Sequence, residues 1–242
     1  MKRLLRLPLL ALPLLFVSAS SADPTPRRIA KDALRPFNDL IGSWRGTGEP
    51  AQGTREEKAR NFWQETLRWE WVFKGDDVYL KLDIEKGKYF TGGELRPLPE
   101  PGKFRLTMRT VNQETLTFDG VHEPEKKRLT LERVDEKTKV TQRLVFNLLH
   151  FNRHLMRYET KGAEQVAFTP VWLVGATKEG VAFAEGDDKP ECVVSGGLGT
   201  MPVMYKGKTY YVCCGGCRDA FRDEPEKYIR EYEERQAAKK KP

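Results

Sequence analysis

The chain has 242 residues, of which 39% are hydrophobic and 32% charged. That balance is too polar for a polytopic membrane protein and too apolar for a disordered chain, so it specifies one or two soluble domains. Lys2, Arg3 and Arg6 at one end and Lys239, Lys240 and Lys241 at the other carry most of the formal charge of +7. The body is close to neutral, and a nucleic-acid-binding face is not indicated.

Residues 1–22 read as a secretory signal peptide, with a basic start, an apolar stretch from Leu7 to Val17, and small residues Ser20 and Ala22 before the expected cut. The apolar run is about eleven residues, against roughly twenty needed for a membrane-spanning helix. Cleavage after Ala22 is therefore expected, giving an exported periplasmic or extracellular protein with no stable membrane insertion. Residues 23–36 are a polar, proline-containing leader, and Ile29 to Trp44 read as a short helix running into a strand.

From there to about Phe183 short strands alternate with turns. Trp69, Trp71 and Phe73 alternate with Arg68, Glu70 and Val72, and Val78, Leu80 and Leu82 alternate with Tyr79, Lys81 and Asp83. Such a period of two marks a sheet with one wet face. Further strands are predicted at Lys103–Thr110, Glu114–Val121, Arg128–Val134, Lys139–Leu149, His154–Thr160 and Phe168–Leu173, with turns at Gly75-Asp76-Asp77, Gly87, Pro97 to Gly102, Glu123-Pro124-Glu125 and Gly162. This many antiparallel strands imply a barrel or a sandwich, and a closed barrel leaves no edge exposed. The opening Phe37-Asn-Asp-Leu-Ile-Gly-Ser-Trp44-Arg-Gly-Thr-Gly48 resembles that of lipocalin-like (calycin) barrels, in which a Gly-x-Trp closes the floor. The resemblance implies a lipocalin-like barrel over residues 37–184, whose interior could hold a small apolar ligand.

Residues 185–191 are acidic and contain a proline, as suits a linker, and all four cysteines follow it. Tyr205 to Val212 has a Lys-Gly-Lys turn between strand formers and reads as a hairpin that delivers Cys213 beside Cys192. The Gly215-Gly216 turn then opens a helix at Cys217. Pro225 marks a break or a new helix start, with Asp223 as its expected N-cap. Thiolates from a knuckle, a strand end and a helix start can converge on one ion, and soft sulfur ligands suit zinc or cuprous copper. A helix N-terminus also favours the thiolate of Cys217.

The phrase Tyr205-Lys-Gly-Lys-Thr-Tyr-Tyr-Val-Cys-Cys-Gly-Gly-Cys217, followed by Phe221 and Pro225-Glu-Lys-Tyr228, is similar to the YHS or TRASH domain, a small treble-clef-like metal-binding module. The resemblance covers residues 192–232 and implies Cys192, Cys213 and Cys217 as metal ligands. Cys214 falls where the family accepts serine or cysteine and is a candidate fourth ligand. Val193 replaces the proline common after the first cysteine, which loosens the knuckle but removes no ligand. Residues 233–242 are left as a basic tail.

Two other readings stay open. In an oxidising compartment four cysteines can form two structural disulfides, although the adjacent Cys213 and Cys214 pair only with strain. A thiol redox pair at Cys214 and Cys217 would vary the Cys-x-x-Cys motif, without the βαβ context of thioredoxins. His150 and His154 share a strand face and could ligate a metal or haem, but a solvated or hydrogen-bonded role is the default expectation. Met201 and Met204 could be soft ligands but are expected to pack, and Trp63, Trp69, Trp71 and Trp172 are expected to line the barrel or its core. No Ser-His-Asp order, phosphate loop or His-Glu-x-x-His is present, so the chain is read as a metal-binding protein and not an enzyme. Its expected fold is mainly β, an N-terminal antiparallel barrel plus a small C-terminal α+β cysteine module.

Overall fold

The alternating apolar residues of the long central region line up into ten antiparallel strands in a computed structural model that describes residues 25–150, 152–179 and 190–239. The signal-peptide region and residues 185–189 of the linker lie outside the described residues. The strands are β1 (Gly42–Pro50), β2 (Trp63–Lys74), β3 (Asp77–Glu85), β4 (Phe90–Pro97), β5 (Lys103–Thr110), β6 (Thr115–Glu123), β7 (Arg128–Val134), β8 (Thr141–His150), β9 (Arg153–Lys161) and β10 (Thr169–Lys178). Each pairs with its sequence neighbour, and β1 pairs with β10 from Trp44↔Lys178 to Pro50↔Trp172, so the sheet closes into a barrel. Gly75, at φ +58°, supplies the left-handed residue of the tight turn between β2 and β3.

β4 has no counterpart among the predicted strands, because it lies between the turns read at Gly87 and at Pro97 to Gly102 and its Gly92-Gly93 pair breaks the apolar alternation. Here the glycines serve close packing within the sheet. A Cβ on Gly92 would stand 2.5 Å from the Leu82 carbonyl oxygen, and one on Gly93 2.5 Å from that of Thr107. Gly92 also sits at a register shift, at φ +156°. β10 runs five residues past the predicted end at Leu173, because pairing with β1 continues to Lys178.

Before the barrel, helix α1 spans Pro26–Leu34, starting earlier than Ile29 and within the segment read as a leader. Thr25 caps it and Pro26 occupies the first turn, where a missing N–H costs nothing. A 3₁₀ turn, Arg35–Leu40, leads into β1 and plugs one end of the barrel. Phe37 meets Phe104 edge-on at 4.9 Å, and the indole Nε1 of buried Trp44 donates to the Leu40 carbonyl at 2.7 Å. The Trp44 of the Gly-x-Trp is thus buried and tied to the turn that precedes β1. A short exposed helix, α2 (Arg55–Asn61), is held by a capping box between Thr54 and Glu57.

The C-terminal unit consists of the hairpin β11 (Met201–Tyr205) and β12 (Lys208–Val212), turned through Lys206 and Gly207 at φ +47° and +76°, then α3 (Gly215–Asp223) and α4 (Pro225–Lys239). Asp223 is the last residue of α3 rather than a cap, and Glu224 precedes Pro225. Residues 233–239, within the segment read as a basic tail, continue α4. The buried apolar residues of barrel and module form one cluster running from Leu34 and Trp71 to Val193, Cys217, Phe221 and Tyr228. α1 ties the two regions together: Arg27 donates to Tyr228 Oη at 2.6 Å and pairs with Glu224 at 3.0 Å, and buried Lys31 pairs with Glu231. Among the described residues no helix is long and apolar enough to cross a membrane.

Candidate metal centre

Three short elements bring the thiols together. The loop from Cys192 to Gly197 folds back on itself, with Cys192 N–H donating to Gly197 O at 2.6 Å and Gly196 N–H to Cys192 O at 2.9 Å. Gly196, at φ +81°, allows that reversal. Val193 N–H bonds Tyr211 O, which seats the loop on β12. Cys213 follows the end of β12, Cys214 is the N-cap of α3, and Cys217 lies in its first turn. The Sγ atoms of Cys192, Cys213 and Cys217 all lie within 4.8 Å of one another, and those of Cys213 and Cys217 are 3.5 Å apart. Tetrahedral thiolates at a zinc–sulfur distance near 2.3 Å stand about 3.8 Å apart, so the three-sulfur set fits such an ion in size and softness.

Cys214, the candidate fourth ligand, falls outside that trio but close beside it. The chain has already left β12, and Cys214 is turned inward, 5% exposed, with its Sγ 3.9 Å from that of Cys213. All four cysteines are free thiols. Cys192 and Cys217 are fully buried, and Cys213 is the least enclosed of the three.

The cluster divides its protons unevenly. Burial works against ionising Cys192, but hydrogen bonds from Cys213, Cys217 and Ser195 outweigh it and hold its thiol well below the usual range. Cys214 is pulled down to about 4 by Cys213 and Cys217, with the backbone N–H groups of Cys217 and Trp71 assisting. Its hydrogen bond to Cys192 pushes Cys213 well above the usual thiol range, and burial does the same to Cys217. Four thiolates cannot share so small a volume without a cation, and a cation that takes the set must displace the remaining thiol protons.

Residues beyond the four cysteines shape this site, and of these Asn38, Ser195 and Arg235 carried no signal in the sequence. The pairing of β1 with β2 begins at Gly42↔Trp69, so residues 70–74 of β2 run past the end of β1. α3 packs against this overhang. A Cβ on Gly216 would overlap the Trp71 carbonyl oxygen, so only glycine lets the helix start this close. The Trp71 indole donates to Asn38 Oδ1 at 3.1 Å, and Asn38 Nδ2 donates to Ser195 O at 3.1 Å. Ser195, fully buried, gives its N–H to Cys192 Sγ and places its Oγ against Cys213 Sγ, both at 3.4 Å. From the other side Arg235 of α4 donates to the carbonyls of Val193 at 2.9 Å and Cys192 at 3.3 Å, and to Glu191 at 2.9 Å. Such outer partners fix first-shell ligands in place.

The remaining candidates lie elsewhere. Met201 is half-buried against the core, and Met204 is 71% exposed rather than packed. Trp69, Trp71 and Trp172 are buried in the core, and Trp63 packs against it. The side chain of His150 lies outside the described residues. His154 corrects the expectation of a solvated or hydrogen-bonded ring: it is 1% exposed, neither ring nitrogen has a partner, and Trp44 meets it edge-on at 4.4 Å. Burial, with the charge of Lys178 adding to it, lowers its pKa to about 3, so it is neutral.

Among solved structures, Rv2717c from M. tuberculosis is similar at 15% identity and a TM-score of 0.40, over 61% of this chain and 97% of that one. The S-type phycobiliprotein lyase CPES from Guillardia theta is similar at 9% identity and a TM-score of 0.39, over 65% and 97%. No curated protein matches the chain. Residues 201–232 match the YHS domain, a span that holds the hairpin, Cys213, Cys214, Cys217, α3 and the first half of α4, with Cys192 just ahead of it.

Proposed function

We propose that this is an exported metal-binding protein that holds zinc or cuprous copper through Cys192, Cys213 and Cys217. Cys214 supplies a fourth sulfur or tunes the other three, and the role is in metal handling or sensing. The observation that carries this reading is the convergence of three sulfurs within 4.8 Å in a largely buried site. Soft thiolates bind these ions in deprotonated form, and a serine hydroxyl neither ionises near neutral pH nor matches them in softness.

The test is metal content and free-thiol count of anaerobically purified mature protein, followed by chelator-competition titrations of zinc and cuprous ion on the four single Cys→Ser variants. High-affinity binding is expected to vanish in Cys192→Ser, Cys213→Ser and Cys217→Ser, with a smaller loss in Cys214→Ser. Equal loss at all four makes Cys214 a full ligand. Unchanged binding in Cys192→Ser sinks the shared-ion reading. Metal-free protein without titratable thiols after denaturation would favour disulfides, and Cys213 and Cys217, with sulfurs 3.5 Å apart, are the first pair to examine.

A further inference from the structure

Away from the cysteines, β2 carries a buried acid near one mouth of the barrel. Glu65 is 6% exposed, and its Oε1 has no hydrogen-bond partner. Its Oε2 accepts from the Trp63 indole at 2.8 Å, which fixes the carboxylate. The facing strand makes room for both side chains. Glu65 pairs in register with Gly46 and Trp63 with Gly48. A Cβ on Gly46 would stand 3.0 Å from Glu65 Cγ, and one on Gly48 would overlap the Trp63 indole. The space left beside the carboxylate is a cavity of about 10 Å³, walled by rings of Trp63, Tyr89, Phe90 and Trp172. Tyr89 stacks on Trp172 at 5.2 Å and meets Trp63 edge-on at 5.5 Å. It is 38% exposed and forms the solvent side of the wall.

A buried carboxylate with one oxygen lacking a partner, helped only by the Trp63 indole and the Lys88 backbone N–H, is complementary among aromatic faces to a positive charge that can also donate a hydrogen bond. The chain already places one cation against these rings: Lys88 Nζ stands 4.8 Å from the Trp63 centroid and 5.7 Å from that of Tyr89. No ion pair reaches Glu65 among the described residues. A cavity this size takes one water-sized group, which admits an ammonium head and excludes a trimethylammonium one. We propose that this mouth of the barrel binds the head group of a small protonated primary amine, donating to Glu65 Oε1 within the Trp63, Tyr89 and Trp172 rings, its carbon tail leaving past Tyr89. A purely apolar ligand would leave Oε1 without a partner, and an anion would be repelled. The site is independent of the metal centre.

The test uses the full mature chain at fixed metal content, following the Trp63 indole ¹H–¹⁵N resonance while methylammonium chloride is added. Sodium chloride at matched ionic strength and methanol, a neutral group of similar size, are the controls. A saturable shift is expected with methylammonium alone, with affinity at least tenfold weaker in Glu65→Gln. A response no different from sodium overturns the proposal, and an equal response to methanol reduces the cavity to a water site. Binding unchanged in Glu65→Gln overturns it as well. The wild-type comparison of the three solutes decides even where that variant fails to fold.

Discussion

The barrel and the cysteine module solve the problem of stability in different ways. Every barrel strand has two neighbours, and large side chains such as Trp44, Trp69, Phe118 and Phe146 fill the inside. Nothing in that arrangement needs a thiol or a metal. The module has one two-stranded hairpin, and an isolated hairpin is marginal in water. Its hairpin side chains Met201, Val203 and Tyr205 are only half-buried, and its support comes from Val194, Val212, Phe221 and Tyr228, buried in a cluster continuous with the barrel core, from the ion pairs of α1 with Glu224 and Glu231, and from the cysteine cluster itself. The closed sheet and the small hairpin unit thus share one core, and the side-chain chemistry of the proposed metal site belongs to the smaller part.

The largest expected effect belongs to that smaller part. Metal binding to small cysteine domains is worth on the order of 10 kcal/mol of apparent free energy, much of it folding energy. Stripping metal with a chelator should therefore cut hydrogen-exchange protection at Cys192–Gly197, in β12 and in the first turn of α3, while amides of β5–β8 stay protected. Simultaneous loss in both regions would show a single cooperative unit and erase the contrast.

The next effect belongs to the barrel. The folded pKa of His154, about 3, lies below its ordinary 6.5. As pH falls through 6.5 toward 3 the unfolded chain takes up a proton that the folded barrel refuses, so stability declines. At pH 4.5, two units below the unfolded value, the loss is about 3 kcal/mol. Urea midpoints for wild type and His154→Leu at pH 7 and 4.5 should show a steeper loss in wild type, the variant keeping the smaller share that half-buried His122, also lowered by burial, contributes. Glu65 works with the opposite sign, because burial raises its pKa, so its penalty is present at higher pH and relieved as pH falls. An undiminished acid slope in His154→Leu would move the cause to another group.

Gly216→Ala tests the contact between the two regions. The added methyl must push α3 off the Trp71 carbonyl, and overpacking of this kind costs about 2 kcal/mol. The loss should appear in the melting of the metal-loaded module, with weaker metal retention because Cys217 moves with the helix. A barrel transition lowered by the same amount would mean that β2 yields instead.

These contacts also mark how far the sequence could be read. The two wet-faced strands Lys103–Thr110 and Arg128–Val134 coincide with β5 and β7, because alternation there is unbroken. β4 was hidden by glycines whose purpose is visible only once β3 and β5 lie beside them. Cys192, Cys213 and Cys217 stood out because the phrase around them resembles the YHS module, and their sulfurs do converge. Asn38 and Trp71 could not stand out, since their role depends on how far β2 overhangs β1, a fact of register rather than of composition. His154 gave no hint of its burial, because a histidine on a strand looks the same whichever face turns inward.

The smallest expected effect probes that hidden link. Asn38 receives the Trp71 indole proton on Oδ1 and gives a proton from Nδ2 to the Ser195 carbonyl, and Ser195 touches the sulfurs of both Cys192 and Cys213. Asn38→Ala should leave the barrel intact and weaken metal binding about tenfold, the lower end of what an outer partner is worth. Asn38→Asp keeps the acceptor for Trp71 but sets a carboxylate oxygen against the Ser195 carbonyl, so it should lose at least as much. Trp71→Phe removes the indole donor and leaves the bond to Ser195, so it should lose less. Competition titration against a chelator, with the thiolate-to-metal absorption band as a check on ligand geometry, orders the three variants. If all three bind within twofold of wild type, β2 is only a wall beside the site, and the loop from Cys192 to Gly197 holds its shape through its own turn and Arg235 alone.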